Sequence, residues 1–386
     1  MKIFNHYPTP IKFKRKKKNI IFLLNLIKYF FEKGKKPKFD KNILKDQSFF
    51  SLIRTTDNIA IAHESLIKYK QYQNSWLHNE VKNYLDFYKK KEESNSKTIK
   101  LLNESNKKIN ITPIILKEYN YKLISKNIKN FIRFSNDIDI LIKKSELFRY
   151  DNFLRKNNFL LNNIDIEIDF KPSLSIDGNF ILNKKIKQGE QLRKRELIKK
   201  IEGNEKDLTY IKNPNKNPQI IEVHFYPNNY KYFKNSTPLE IIYKNTYNKD
   251  NLKLIKPEAR ILYDANHFFI HLRFRRTLKN GLNRFLCNLK RICDIEFNLK
   301  TQEKINWEKL VFLAKKNNIS PHVYGYLMIG KKYLNLDIPQ KIINQLKKDS
   351  NFLQTKIIDN INVLSVFQDK RDLFTTIYIK KYLMPK

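Results

Sequence analysis

Asp137 and Asp139 stand two apart in the run Asp137-Ile138-Asp139-Ile140-Leu141-Ile142. Successive side chains of a strand alternate between its faces, so residues i and i+2 project together. The two carboxylates then lie side by side, while Ile138, Ile140 and Ile142 form a face that can be buried. Neighbouring carboxylates repel unless a cation sits between them. Hard oxygen donors suit Mg2+, which keeps several waters and completes its shell from substrate phosphates. The chemistry that needs this arrangement is metal-dependent phosphoryl or nucleotidyl transfer. Alone, an Asp-x-Asp pair is also what a solvated strand face looks like.

Residues elsewhere add to the pair. Arg133 comes four residues before Asp137, ahead of a turn holding Ser135 and Asn136. A guanidinium there can grip phosphate oxygens bidentately. A two-metal site needs a third carboxylate on a later strand. Glu222 in Ile221-Glu222-Val223-His224 is the best candidate, and Glu167 and Asp169 compete for the place. Glu222 and His224 share a face by the same alternation. His224 reads as a base, as the orienter of a carboxylate, or as a strand histidine satisfied within the domain. His267 and His271 have the i, i+4 spacing of metal ligands, but no Glu follows His267, so packing or hydrogen bonding is the expected role. Arg273, Arg275 and Arg276 form the densest arginine cluster, either a phosphate grip or a solvated helix end.

The elements that must position these residues follow from periodicity. Residues 1–108 read as a helical region, with apolar stripes at Phe49, Phe50, Leu52 and Ile53, at Leu66, Ile67, Tyr69 and Tyr72, and at Trp76, Val81, Leu85 and Tyr88. The polar run Lys89–Lys100 reads as a linker or an exposed helix end. Residues 109–247 read as an α/β core. Ile111–Leu116, Asp137–Ile142, Phe159–Leu161, Ile164–Phe170 and Ile220–Tyr226 are strand-like, and a helix capped by Ser145 is expected between the second and third. Residues 171–215 read as a long polar excursion. Residues 248–386 return to the helical period, opening at Pro257.

Leu116-Lys117, Arg133-x-x-x-Asp137-Ile138-Asp139-Ile140-Leu141-Ile142 and Glu222-Val223-His224 come in this order along the chain. Together they resemble the uncharacterised bacterial nucleotidyltransferases of the DNA polymerase β superfamily. That family typically reads Leu-Lys-Gly, then Arg-x-x-x-Asp-hydrophobic-Asp-Leu-Leu-Val, then Glu/Asp-Leu-His. His267-Phe-Phe-Ile-His271, Cys293-Asp294-Ile295, Asn306-Trp307-Glu308-Lys309-Leu310 and Ala314-Lys315-Lys316 are similar to its helical segments further on. The resemblance implies transfer of a nucleoside monophosphate from an NTP to an acceptor, with release of pyrophosphate. It implies Asp137 and Asp139 as ligands of Mg2+, Glu222 as ligand of a second ion and activator of the acceptor hydroxyl, and Lys117, Arg133 and Ser135 as nucleotide contacts. Glu118 departs from the pattern, standing where the family has Gly, and would add bulk and negative charge near bound phosphates. The alternative function is a degenerate relative that keeps the fold and binds nucleic acid or another anionic partner.

Composition narrows the choice of partners. The 77 Lys and Arg exceed the 38 Asp and Glu by 39 charges, and 63 of the 77 are lysines spread along the whole chain. Dispersed lysine attracts polyanions without specificity, so nucleic-acid binding is expected to be weak and steeply salt-dependent. Seven glycines are too few for a Gly-rich phosphate loop, and no G-x-x-x-x-G-K-[ST] is present. Two cysteines, Cys287 and Cys293, exclude a disulfide scaffold or a Cys-rich zinc module and point to the cytoplasm. A basic run, Lys12–Lys18, leads into the apolar stretch Ile20–Phe31, which is too short to span a bilayer and reads as an amphipathic helix. The expected fold is α+β: a small mixed sheet of the polymerase β nucleotidyltransferase type, flanked by helical N- and C-terminal regions.

Overall fold

The longest helix among the described residues, α4, runs from Trp76 to Ile109 and spans the stretch Lys89–Lys100, read from sequence as a linker or an exposed helix end. Ser75 caps its start by accepting the His78 N–H, and Asn110 ends it in the left-handed conformation at φ 50°. Beyond Leu77 in its first turn, its buried residues fall into two seven-residue series, Val81, Tyr88, Asn95 and Leu102, and Lys91, Thr98 and Ser105. Lys91, Asn95 and Thr98 belong to the polar run, so the run is helix interior with a buried polar stripe along one side. A computed structural model describes residues 17–124, 135, 137–161, 207–213, 218–225, 237–274, 289–301 and 304–349.

Three further helices precede the sheet: α1 (Lys17–Phe30), α2 (Gln47–Thr55) and α3 (Ile59–Leu66). Helix α1 buries Ile20, Leu23, Leu26 and Ile27 at i, i+3, i+6 and i+7, the stripe of an amphipathic helix docked on a protein core. Each such side chain contributes roughly 1.5–3 kcal/mol when fully buried. Among the described residues no helix is long and apolar enough to cross a membrane.

The described strands form one mixed seven-stranded sheet in the order β3-β4-β5-β2-β1-β7-β6. They are β1 (Ile114–Ile115), β2 (Ile138–Leu141), β3 (Leu160–Leu161), β4 (Asp207–Lys212), β5 (Gln219–His224), β6 (Thr246–Lys249) and β7 (Leu252–Ile255). The pairs β2–β5 and β1–β7 are parallel and the others antiparallel. Strand β4 lies inside the stretch read from sequence as a polar excursion, where Leu208, Tyr210 and Ile211 are buried. The sheet also continues past residue 248 through β7, and the helical series resumes only at Pro257. The expected strand over 164–170 lies outside the described residues.

Helices α5 (Lys117–Ile124) and α6 (Leu147–Lys156) follow β1 and β2. Ser145 does not cap α6. It sits within the 3-10 turn Lys144–Glu146, where the Glu146 carboxylate accepts the Lys143 N–H at 3.1 Å. After β5 come α7 (Leu239–Lys244), α8 (Pro257–Phe274), α9 (Leu289–Leu299), α10 (Trp307–Lys316), α11 (Ser320–Leu334) and α12 (Gln340–Lys348).

Alternation along the strands divides the core in two. Ile115, Ile138, Ile140, Ile221, Val223 and Leu254 pack with Leu147, Tyr150, Phe153 and Leu154 of α6 and with Leu102 of α4. Ile114, Leu116, Leu141 and Ile255 join a larger core shared by α1–α3 and α8–α12. Helices from before and after the sheet thus close over the same face. Asp139, two residues from Leu141, belongs to that face.

Candidate active site

Parallel pairing of β2 with β5 sets Asp139 directly beside Glu222, and Leu141 beside His224. Asp139 is 2 % exposed and Glu222 29 %, so the cluster is buried at one end and opens at the other. His224 Nε2 lies 2.8 Å from Asp139 Oδ1 and 3.5 Å from Glu222 Oε2. Lys117 Nζ donates to Asp139 Oδ1 and lies 3.6 Å from Glu222 Oε2. Asp139, Glu222 and His224 each offer a donor atom, all within 4.8 Å of one another, a spacing that fits a single metal ion.

Lys117 reaches this cluster because of its backbone. It opens α5 with φ at +47°, the left-handed region that a non-glycine residue enters at roughly 1–2 kcal/mol. Burial alone would lower its ammonium, but Asp139 and Glu222 outweigh burial and hold it well above the ordinary lysine range. Burial would raise Glu222, yet Lys117 and the hydrogen bond from His224 keep its carboxyl well below the usual range. His224 is disfavoured as a cation by burial but held protonated more tightly than usual by its bonds to Asp139 and Glu222. Bonded to both carboxylates, the ring is placed to orient them.

Asp137 is half-buried just before β2, where its Oδ1 accepts the Ser135 hydroxyl at 2.9 Å. Burial, then Asp139 and Glu222, push its carboxyl up to about 7. Ser135 is itself held from α4, because Asn95 Nδ2 donates to the Ser135 carbonyl at 3.1 Å. On the same stripe Lys91 Nζ donates to the Pro218 carbonyl at the start of β5. Burial lowers Lys91 to about 8, and Asp137 opposes that shift. One turn of α4 thus braces the entries of both acidic strands. Glu92 joins in from the same helix, accepting from Tyr119 Oη at 3.0 Å and from Lys122 Nζ of α5.

The expected residues therefore divide. Lys117, Asp139, Glu222 and His224 are in mutual contact, and Asp137 and Ser135 adjoin them. Arg133, Glu167, Asp169, Arg275, Arg276 and Cys287 lie outside the described residues, as do the side chains of His271 and Arg273. His267 stacks on Tyr263 with ring centres 5.6 Å apart, a packing role. Asp294 is buried on α9. Glu118 is buried and faces Lys290 of α9 at 3.8 Å, and Lys290 Nζ is 2.5 Å from Asp57 Oδ2. The residue that departs from the Leu-Lys-Gly pattern is thus held by a cation from a distant helix.

Lys91 and Asn95 were not anticipated from sequence. Their signal was the seven-residue spacing with Tyr88, Thr98 and Leu102, carried by polar side chains. Lys290 has no signal in sequence that pairs it with Glu118.

The fold is an α+β protein whose mixed sheet places acidic residues on two central parallel strands. Residues 44–335 match the model of a family described as uncharacterised nucleotidyltransferase, and the chain belongs to that family. No curated protein and no solved structure matches the chain.

Proposed function

We propose that the chain transfers a nucleoside monophosphate from an NTP to a hydroxyl-bearing acceptor, at a site of the DNA polymerase β type built on Asp137, Asp139 and Glu222. The observation that carries this reading is the pairing of Asp139 with Glu222 across parallel strands, in a chain of a nucleotidyltransferase family. The donor set suits Mg2+ through the hard carboxylate oxygens of Asp139 and Glu222, the latter partly exposed to solvent. Asp137, Asp139 and Glu222 would hold one or two such ions, which when bound neutralise triphosphate charge and align the reacting groups.

The chain's own residues supply the rest. The acceptor oxygen bonds to the α-phosphorus, and the bond from that phosphorus to the β-phosphate oxygen breaks, so pyrophosphate leaves. Glu222, ionised and at the open end of the cluster, aligns the acceptor hydroxyl, whose proton passes to solvent. His224 fixes the carboxylates of Asp139 and Glu222. Lys117, with Arg133 and Ser135, meets the negative charge of the phosphates.

Incubation with Mg2+, a cell extract and each NTP, labelled in turn at the α- and γ-phosphate, tests the reading. Label from the α-phosphate is expected in a product and label from the γ-phosphate in pyrophosphate. Transfer of γ-label to the product would make the protein a kinase, and no transfer from any NTP would remove the assignment.

A further inference from the structure

We propose that Lys117 is a tethered counter-ion that occupies the cation place between Asp139 and Glu222, and that it must leave when a divalent ion enters. This rests on the metal-site reading above and adds to it a mode of control: the site discriminates against free metal and fills when a metal–nucleotide complex arrives.

The geometry carries the inference. Lys117 Nζ donates to the same oxygen of Asp139 that His224 Nε2 approaches at 2.8 Å, and lies 3.6 Å from Glu222 Oε2. Those atoms are the donor set that fits an ion. An ammonium and a divalent ion cannot both sit there, since like charges in one small, largely dry site repel strongly. The backbone is held in the left-handed region at Lys117, so the chain is specifically bent to aim this side chain at the pair. An incoming triphosphate offers what metal alone does not. It brings anionic oxygens to receive the displaced ammonium, on a stem long enough to swing. The released Lys117 then takes up the phosphate contact expected of it.

Binding of Mn2+ alone, read from the electron paramagnetic resonance of the free ion, tests this on the full chain. Lys117→Gln should bind Mn2+ about tenfold more tightly than the wild type, or better, by the weight of a unit charge in a half-buried site. Lys249→Gln removes a cation that donates to the Leu123 carbonyl, outside the donor set, and should change Mn2+ affinity by no more than about twofold. Equal affinity in wild type and Lys117→Gln overturns the proposal and leaves the metal site standing. Equal tightening by both substitutions also overturns it, because the loss of any cation would then do. Absence of Mn2+ binding in every protein, with or without ATP, defeats the metal-site reading itself. A measurement on the wild type needs no variant to fold: saturating Mn2+ should raise acetylation of Lys117, followed by mass spectrometry, several-fold. Unchanged acetylation would mean that the ammonium stays where it is.

Discussion

Helix α5 is attached to two buried polar clusters of opposite character. Lys117, at its first residue, enters the charged cluster of Asp139, Glu222 and His224. Asn120 and Tyr121, three and four residues on, enter a closed network. There Arg260 Nη1 donates to Asn120 Oδ1 at 3.0 Å and to the Ile255 carbonyl at 3.3 Å, and Arg260 Nε donates to Asn298 Oδ1. Asn298 Nδ2 donates to Tyr121 Oη at 3.0 Å, and Tyr121 donates to Asp264. The guanidinium also lies over the Tyr121 ring, 5.2 Å from its centre. Every member of this network is buried, and each of these bonds joins two neutral groups or one charged group to a neutral one. It fastens α5 to α8 and α9.

The charged cluster is organised differently. Three carboxylates face one lysine and one histidine, and one edge is open at Glu222. A closed network in balance rigidifies a fold. A crowded, open one stores unfavourable charge that a ligand can relieve. The closed network should matter to stability and the charged cluster to chemistry.

The largest effect expected from breaking this contrast is on transfer. Asp139→Asn should lower the rate of pyrophosphate release by about 10^2–10^3-fold, the scale on which one preorganised charge acts on a transition state. The variant should keep a cooperative thermal melt. Arg260→Met should do the reverse. It leaves three buried acceptors without their donor, at about 1–3 kcal/mol each, so a urea titration should show a loss of about 3 kcal/mol or more. The protein that remains folded should still bind nucleotide.

A smaller effect sharpens the comparison through pH. Asp137 has its carboxyl raised from 3.8 to about 7 in the folded chain. The folded state therefore binds more protons than the unfolded state between these values, and stability falls as pH rises through that window. Asp137→Asn lacks this loss. Its stability relative to the wild type should grow between about pH 4 and pH 7 and stay level above, reaching about 1 kcal/mol or more. Urea titrations of both proteins at pH 4.5, 6 and 8 check the sign; an advantage that shrinks with rising pH would contradict the crowding of Asp137. The smallest effect is expected at Asn95→Ala, which removes the donor to the Ser135 carbonyl. A loss of about 1 kcal/mol, or up to about tenfold in rate if it is felt in the transition state, should follow. Steady-state kinetics and a melt together separate the two.

What could be read from sequence followed from simple periods. Asp137-x-Asp139 and Glu222-x-His224 were legible because a strand repeats every two residues, and alternation alone put both carboxylate strands beside a buried isoleucine face. The amphipathic α1 was legible for the same kind of reason at the helical period. The polar run Lys89–Lys100 was not. Lys91, Asn95 and Thr98 are buried on α4, but a hydrophobic pattern cannot register polar residues that are buried with their hydrogen bonds made, Lys91 and Asn95 to the strand entries and Thr98 to the Ser94 carbonyl of its own helix. Strand β4 was hidden similarly, with Leu208, Tyr210 and Ile211 set in a long polar stretch. The partner of Glu118 was beyond reach, since Lys290 meets it only after α9 folds over the sheet.

Anomalous scattering of manganese, in crystals grown with Mn2+ and a non-hydrolysable NTP, shows whether the Asp139–Glu222 pair holds the metal of a nucleotidyl-transfer site. An ion is expected about 2.1 Å from carboxylate oxygens of both Asp139 and Glu222 and in contact with the triphosphate. A nucleotide bound with its manganese distant from both residues, and Lys117 still between them, would contradict it.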